Sequence, residues 1–144
     1  MKRLTVPAPM LGWLNAVELF FHPSKQLPGK WKLFEYYTEP GNKLVNLKEE
    51  QLKKENQYWE INFERQGQLS QLTNLPVQFP EGISSCYWSV SRNFITWIGV
   101  EDSNKKEEFQ YALVSGVLKL LKKKSDGKIE FFGFFRKIQE PFSE

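Results

Sequence analysis

Two segments near opposite ends of the chain constrain its fold most strongly. The first begins at Gly29-Lys30-Trp31 and alternates between the two faces of a strand as far as Tyr37, with the period of two that is typical of a β-strand. The second, Ile129-Glu-Phe-Phe-Gly-Phe-Phe-Arg136, is an aromatic strand that ends on an arginine. If these first and last strands are neighbours, the sheet closes into a barrel.

Between these two segments the sequence alternates repeatedly and turns tightly. Turn signals at Arg65-Gln-Gly-Gln68, Ser115-Gly116 and Asp126-Gly127 are typical of β-hairpins. Consecutive hairpins without a crossover helix argue against an α/β fold. We therefore predict an all-β fold, an antiparallel up-and-down β-barrel of about eight strands, although a two-sheet sandwich has the same alternation. The predicted strands are 29–37, 59–64, 69–75, 86–91, 94–100, 109–114, 117–122 and 129–136.

The chain is predicted to have two parts. Residues 1–28 form an N-terminal arm with a short helix over Ala16–Phe21, and residues 29–140 form the barrel. The apolar side chains of the arm share a face at helical spacing, which suits packing against the outside or one end of the barrel, or alternatively a lid over the mouth of a pocket. Residues 43–57 fit a short helix or an irregular edge strand equally well.

Composition limits the possible partners and compartments. The net charge of +3 is too small for a typical nucleic-acid binder, which has a concentrated basic face. No apolar run approaches the roughly 18 residues that span a membrane. Cys86 is the only cysteine, so no disulfide can form within the chain, which favours a cytoplasmic location. Export is the alternative, if residues 1–14 act as a weak signal sequence.

The sequence offers little for catalysis or for binding metals. His22 is the only histidine, so a nucleophilic triad would have to use this residue, which we interpret as a solvated part of the connection to the barrel. One histidine and one cysteine far apart in the sequence cannot supply a structural zinc site. We predict no catalytic residues, no metal site and no cofactor. An enzyme on such a barrel would have to use a tyrosine and a carboxylate without metal, which is the least favoured hypothesis.

The stretch from Gly29 to Ile138 resembles the small lipocalin-like (calycin) barrel domains of bacteria. The resemblance is carried by Leu27-Pro-Gly-Lys-Trp31, by the aromatic strand and hairpin from Trp59 to Gly67, and by Tyr87-Trp88. It implies a barrel with a central cavity for a small apolar molecule. It also implies a structural signature at the closed end, formed by Gly29, Trp31 and Arg136, with the Arg136 guanidinium lying over the indole ring.

One face of each strand must point into the barrel, and its side chains are the candidate lining of a ligand cavity. These candidates are Trp59, Ile61, Phe63, Trp88, Val90, Phe109, Tyr111, Phe131 and Phe135. In the strand at 94–100 either Phe94 and Ile98 or Ile95 and Trp97 point inward. Possible polar anchors are Tyr87, Arg92, Gln110 and Tyr111. The basic run from Lys119 to Lys128 is interpreted as a solvated surface hairpin.

The favoured function is therefore non-enzymatic binding of a small hydrophobic molecule, fatty-acid-like or otherwise apolar, in the barrel. The alternative is a filled barrel that acts as a protein-interaction or dimerisation module, because the side chains of small barrels can fill the lumen completely. Paired aromatic residues on both strand faces, as at Phe131-Phe132 and Phe134-Phe135, call for an outer partner such as the N-terminal helix or a second subunit, or for a cavity to line.

Overall fold

The computed structural model describes residues 23–139, which form two short helices and nine strands. Residues 1–22 of the predicted arm, with its helix at Ala16–Phe21 and His22, lie outside the described residues. The elements in chain order are α1 (Pro23–Gln26), β1 (Gly29–Thr38), β2 (Val45–Leu47), α2 (Glu49–Lys54), β3 (Trp59–Phe63), β4 (Gln68–Thr73), β5 (Ser85–Ser91), β6 (Phe94–Gly99), β7 (Lys106–Val114), β8 (Val117–Lys123) and β9 (Ile129–Lys137).

The strands form a closed barrel. Each strand from β3 to β8 pairs antiparallel with the next one in the chain, and β1 pairs with both β3 and β9. The register between β1 and β9 runs from Trp31 opposite Lys137 to Tyr37 opposite Phe132. Strands β1 and β3–β9 thus make an antiparallel eight-stranded barrel, which confirms the predicted fold class.

Residues 43–57 contain both of the elements that their sequence allowed, a strand and a helix. The edge of β1 that faces β3 is shared by two strands. Its first part, Gly29–Lys32, pairs with β3, and its last part, Tyr36–Thr38, pairs with β2. Helix α2 follows β2, and its Leu52 is buried in the main core. The Tyr36 hydroxyl donates to Gln57 Oε1 at 3.2 Å. These elements therefore complete the barrel wall where β1 and β3 separate.

A register shift in β1 changes which of its side chains face inward. Trp31 and Leu33 are buried in the core, and the pairing with β9 shifts between Leu33 and Glu35. After this β-bulge Tyr36 is the buried residue, whereas Tyr37 packs on the outer side of the barrel. A bulge adds one residue to one strand and so reverses the alternation that follows it. The strict alternation expected from Trp31 to Tyr37 is therefore wrong beyond Leu33.

Trp31 closes one end of the barrel. Only 2% of its surface is exposed, and its indole Nε1 donates to the Leu27 carbonyl oxygen at 2.8 Å. Gly29 has a φ of +130°, and a Cβ atom there would lie 2.6 Å from Cε of Lys137. The backbone conformation therefore favours glycine at this position, whereas the flexible end of the Lys137 side chain could move away from a Cβ atom. We call this the closed end.

The predicted stacking of Arg136 on Trp31 is wrong. The Arg136 Cζ atom lies 3.9 Å from the centroid of the Phe34 ring, and its Nη1 is 3.3 Å from Glu49 Oε2. The residue near the Trp31 ring is Lys137, whose Nζ is 5.4 Å from the ring centroid. The register explains the difference, because directly paired residues share a face. Trp31 is paired with Lys137, whereas Arg136 is opposite the exposed Lys32.

The aromatic residues on the outer face of β9 belong to a second apolar cluster. Its buried members are Ala112, Leu121, Ile129 and Phe132. Phe134 packs against this cluster, and Lys119 Nζ lies 4.8 Å from the centroid of its ring. Burial lowers the pKa of Lys119. This part of the basic run is therefore packed on an aromatic surface and is not the simple solvated hairpin that we predicted.

Replacing Trp31 should test whether the closed end supports the barrel. We expect Trp31→Ala to lower the free energy of unfolding by about 3–5 kcal/mol, because it removes a buried indole and its hydrogen bond. Arg136→Ala is the matched control at the neighbouring position of the signature, and we expect it to cost about 1 kcal/mol or less, since its contacts are solvent-exposed. Urea unfolding measures both values. A loss within about 0.5 kcal/mol for Trp31→Ala would contradict this role.

Candidate functional site

The predicted cavity-lining residues all belong to the main interior core. Seven of the nine are buried, and Trp88 and Val90 are partly buried and pack against the others. In β6 the core contains Ile95 and Trp97, which selects this register over the one with Phe94 and Ile98 inside. Whether these side chains contact a ligand stays a prediction.

Aromatic rings fill the middle of the lumen. The Trp59 ring lies at its centre, with centroid distances of 5.2 Å to Phe131 and 5.3 Å to Phe135. Trp97 is 6.1 Å from Trp59 and 4.9 Å from Phe109. These are the distances of directly packed rings. The side chains that we predicted to surround a cavity therefore contact one another at this level of the barrel.

The connection between β4 and β5, residues 74–84, supplies one of these rings. We call it the strap. Its Phe79 is buried, and the centroid of its ring lies 6.1 Å from that of Trp59 and 5.7 Å from those of Phe109 and Phe131. Sequence reasoning treated this segment as a loop only. The sequence feature that could have indicated a buried ring here is an aromatic residue directly before Pro80, in a segment bounded by prolines.

Gln71 joins the strap to the lumen. Its Oε1 accepts a hydrogen bond from Trp59 Nε1 at 2.7 Å. Its Nε2 donates to the Phe79 carbonyl oxygen at 2.8 Å and lies 3.3 Å from that of Ile83. The buried amide is therefore satisfied on both sides, as a polar group in a core must be.

The end of the barrel opposite Trp31 contains a cavity of about 340 Å³, and we call this end the open end. Tyr36 and Phe131 line this cavity, and their stacked rings, 5.4 Å apart, also belong to the lumen. Leu75 and Val77 of the strap contribute further apolar lining, and the charged residues are Glu39, Lys124 and Glu130. A second cavity of about 540 Å³ borders Phe79 and Glu107. The strap therefore has open space on both sides.

An ion pair faces inward at the open end. Lys122 Nζ lies 2.8 Å from Glu107 Oε1, and their side chains are 23% and 19% exposed. Lys122 is paired with Phe131 across β8 and β9, and its Nζ is 5.8 Å from the centroid of the Phe109 ring. Our interpretation of the whole basic run as solvated is wrong at Lys122, because alternation along β8 places it on the same face as Leu118 and Leu120.

The buried carboxylate of Glu39 has a structural role. Its Oε1 accepts a hydrogen bond from the Ile129 backbone N–H at 3.0 Å, and Lys124 Nζ lies 3.4 Å from its carbonyl oxygen. The neighbouring Tyr36 hydroxyl donates to Gln57 instead. These two residues therefore do not form the tyrosine–carboxylate pair that an enzyme of this type would use.

The predicted polar anchors do not converge on one site. Tyr111 is buried, and its hydroxyl is 3.4 Å from the Arg92 carbonyl oxygen, near the closed end. Tyr87 is an exposed side chain.

Within residues 23–139 there is no group of three His, Cys, Asp or Glu side chains that could hold a metal ion. Nor does any helix in this range have the length and apolar character needed to cross a membrane.

The geometry defines the fold: eight antiparallel strands in sequential order close through β1 and β9 around an aromatic interior. Eight-stranded up-and-down barrels of this kind include the lipocalins and streptavidin. The structure is similar to that of a lipocalin-like protein from Bacteroides uniformis, with 22% sequence identity, coverage of 78% of this chain and 98% of that chain, and a TM-score of 0.47. No protein-family model matches the sequence, and no curated protein matches it either. At this level of identity, no residue role is transferred to this chain.

Cys86 provides a probe of core opening. It is fully buried, and burial, with a contribution from the charge of Glu107, raises the pKa of its thiol to about 11. A protonated, inaccessible thiol is a poor nucleophile.

We therefore expect the folded protein to react with a disulfide reagent such as DTNB at pH 8 only at the rate at which the core opens, and immediately after denaturation in guanidinium. Because the folded-state pKa exceeds the unfolded one, the thiol's contribution to stability should be lost as the pH rises from about 9 through 11. Cys86→Ala should lose less stability over that range. Reaction of the native thiol as fast as that of the denatured thiol would contradict its placement.

Proposed function

We propose that this protein is a non-enzymatic binding protein that takes up a small hydrophobic molecule at the open end of its barrel. The observation that carries the proposal is the cavity of about 340 Å³ beside the strap, with Tyr36 and Phe131 in its lining. This volume lies within the range of about 300–1,000 Å³ that is usual for small-molecule sites. Its mixture of apolar walls and a few charged groups is also the usual composition of such sites.

The binding energy would come from apolar surface that leaves water. Each Å² of apolar surface buried contributes roughly 25 cal/mol, and the aromatic rings of Tyr36 and Phe131 offer flat surfaces for contact. Charged groups at the rim would fix the orientation. The Lys124 ammonium lies at the rim of the cavity, where it could pair with the carboxylate of a fatty-acid-like ligand while the chain lies over the rings.

The strap explains how an apolar ligand could reach the site. Leu75 and Val77 line the cavity, and the segment that carries them connects two strands without itself being part of the sheet. Movement of this segment would break few backbone hydrogen bonds, since connecting segments generally open at lower free energy than paired strands. We propose entry of the ligand between the strap and the ends of β1 and β9.

A second candidate function is a filled-barrel interaction or dimerisation module. The observation in its favour is the direct packing of Trp59, Trp97 and Phe109 in the middle of the lumen.

A cytoplasmic location belongs to our proposal in either case, because Cys86 is a free thiol and reducing compartments preserve free thiols.

A pair of matched variants tests the proposed site. Val77 lines the cavity and is 43% exposed, whereas Val100 is 38% exposed and does not line it. We expect Val77→Asp to weaken binding of the neutral fluorescent probe N-phenyl-1-naphthylamine by about tenfold, because a charge in the apolar wall must be desolvated by the ligand. Val100→Asp should leave the affinity within about twofold of the wild type.

Fluorescence titration gives the affinities, and sedimentation velocity gives the oligomeric state. Equal effects of the two substitutions would contradict the open-end site. No saturable binding by the wild type, together with a stable dimer, would contradict ligand binding and support the interaction module.

A further inference from the structure

A groove crosses the outside of the barrel at the place where β1 and β3 separate. Its first part is a cavity of about 680 Å³ with Phe34, Leu52 and Ile138 in its lining. A second cavity of about 410 Å³ lies over β3 and β4, and a third of about 260 Å³ is lined by residues of β4 and the strap. We call the three together the outer groove. It shares no lining residue with the cavity at the open end.

Leu72 joins the three parts of the outer groove, because it lines all of them. It is 66% exposed, the highest value among the large apolar side chains of residues 23–139. Its cross-strand partner Glu60 lines the first two parts, and Tyr58, which is 37% exposed, lines the first. Three connected cavities around one exposed leucine suit an extended molecule with an apolar side chain better than a compact one.

The first part of the outer groove has an excess of positive charge. Both of its carboxylates already face basic side chains. Glu49 Oε2 lies 3.3 Å from Arg136 Nη1 and 4.0 Å from Lys53 Nζ, and Glu60 is directly opposite Lys32 across β1 and β3. The charged lining consists of two carboxylates and four basic side chains, namely Glu49, Glu60, Lys32, Lys53, Arg136 and Lys137. This surface is therefore complementary to a negatively charged partner.

Arg136 is positioned in the outer groove by residues of this chain. Its guanidinium Cζ lies 3.9 Å from the centroid of the Phe34 ring, and the ion pair with Glu49 uses Nη1. A guanidinium has five N–H donors, so further donors remain for a carboxylate of a partner. A side chain that is already held in place loses little conformational entropy when a partner binds.

We propose that the outer groove docks an acidic peptide segment of another protein. An apolar side chain of that segment lies against Leu72 and Tyr58, and its carboxylates lie beside Arg136 and Lys53. This inference goes beyond the proposed function, because the two sites share no lining residue and each can be tested without the other.

Three fluorescein-labelled peptides test the chemistry of the partner: Glu-Glu-Phe-Leu-Glu-Glu and the same sequence with glutamine or with lysine in place of glutamate. We expect fluorescence anisotropy to show that the full chain binds the glutamate peptide about tenfold more tightly than the glutamine peptide, and the lysine peptide more weakly still. Binding of the glutamate peptide should weaken as salt is added, because salt screens exposed charges.

Two pairs of variants test the place of binding. Lys53→Glu and Lys105→Glu change the net charge equally, but exposed Lys105 lines no part of the outer groove. We expect Lys53→Glu to weaken binding of the glutamate peptide about tenfold and Lys105→Glu to change it less than about twofold. Leu72→Ser should weaken binding about fivefold, whereas Val100→Ser, outside the groove, should have little effect. All four variants should keep their affinity for N-phenyl-1-naphthylamine within about twofold of the wild type.

The other outcomes overturn defined statements. Equal affinities for the three peptides would overturn the acidic partner, and equal effects of Lys53→Glu and Lys105→Glu would overturn the outer groove as the place of binding. No saturable binding by the full chain, together with binding by a variant that lacks residues 140–144, would assign the groove to the chain's own Glu140, Phe142 and Glu144 and overturn docking of another protein. Peptide binding as expected without any binding of N-phenyl-1-naphthylamine would support this inference and overturn the proposed function.

Discussion

The pairing of β1 with β9 is the interaction on which the rest of this structure depends. It extends along nearly the whole of β1, from Trp31 opposite Lys137 to Tyr37 opposite Phe132. Because this pairing closes the sheet, one face of every strand in the barrel must point into a common interior. Each strand of the barrel also pairs with a neighbour on both sides, which removes the exposed edge strands of an open sheet. The aromatic residues at alternate positions then meet one another in the lumen.

Closure also explains why the candidate site lies at one end. Trp31 and its hydrogen bond to Leu27 occupy the closed end, and the rings around Trp59 fill the middle. Space remains at the open end, where β1 and β9 approach the strap. The polar groups that face inward, Lys122 with Glu107, are found there as well. Apolar walls, charged groups and the strap therefore meet at this end.

Alternation along the sequence was sufficient to predict the eight strands of the barrel and to place nine side chains in its interior. It could not predict features that depend on how neighbouring strands are aligned. A shift of one residue in the β1–β9 register decides whether Arg136 or Lys137 approaches Trp31, and the sequence of β9 alone is compatible with either. The β-bulge after Leu33 likewise reverses the face of each later residue in β1. Phe79 was missed because no periodicity applies to a connecting segment, and Lys122 was missed because it lies within a basic run.

The central claim is that the open end holds a small apolar molecule, and native mass spectrometry of the purified protein tests it most directly. The protein should retain, or take up from a mixture of fatty acids and neutral apolar compounds, one molecule per chain, and denaturation should release that molecule for identification. A mass that corresponds to the polypeptide alone, before and after incubation with the whole mixture, would contradict the claim.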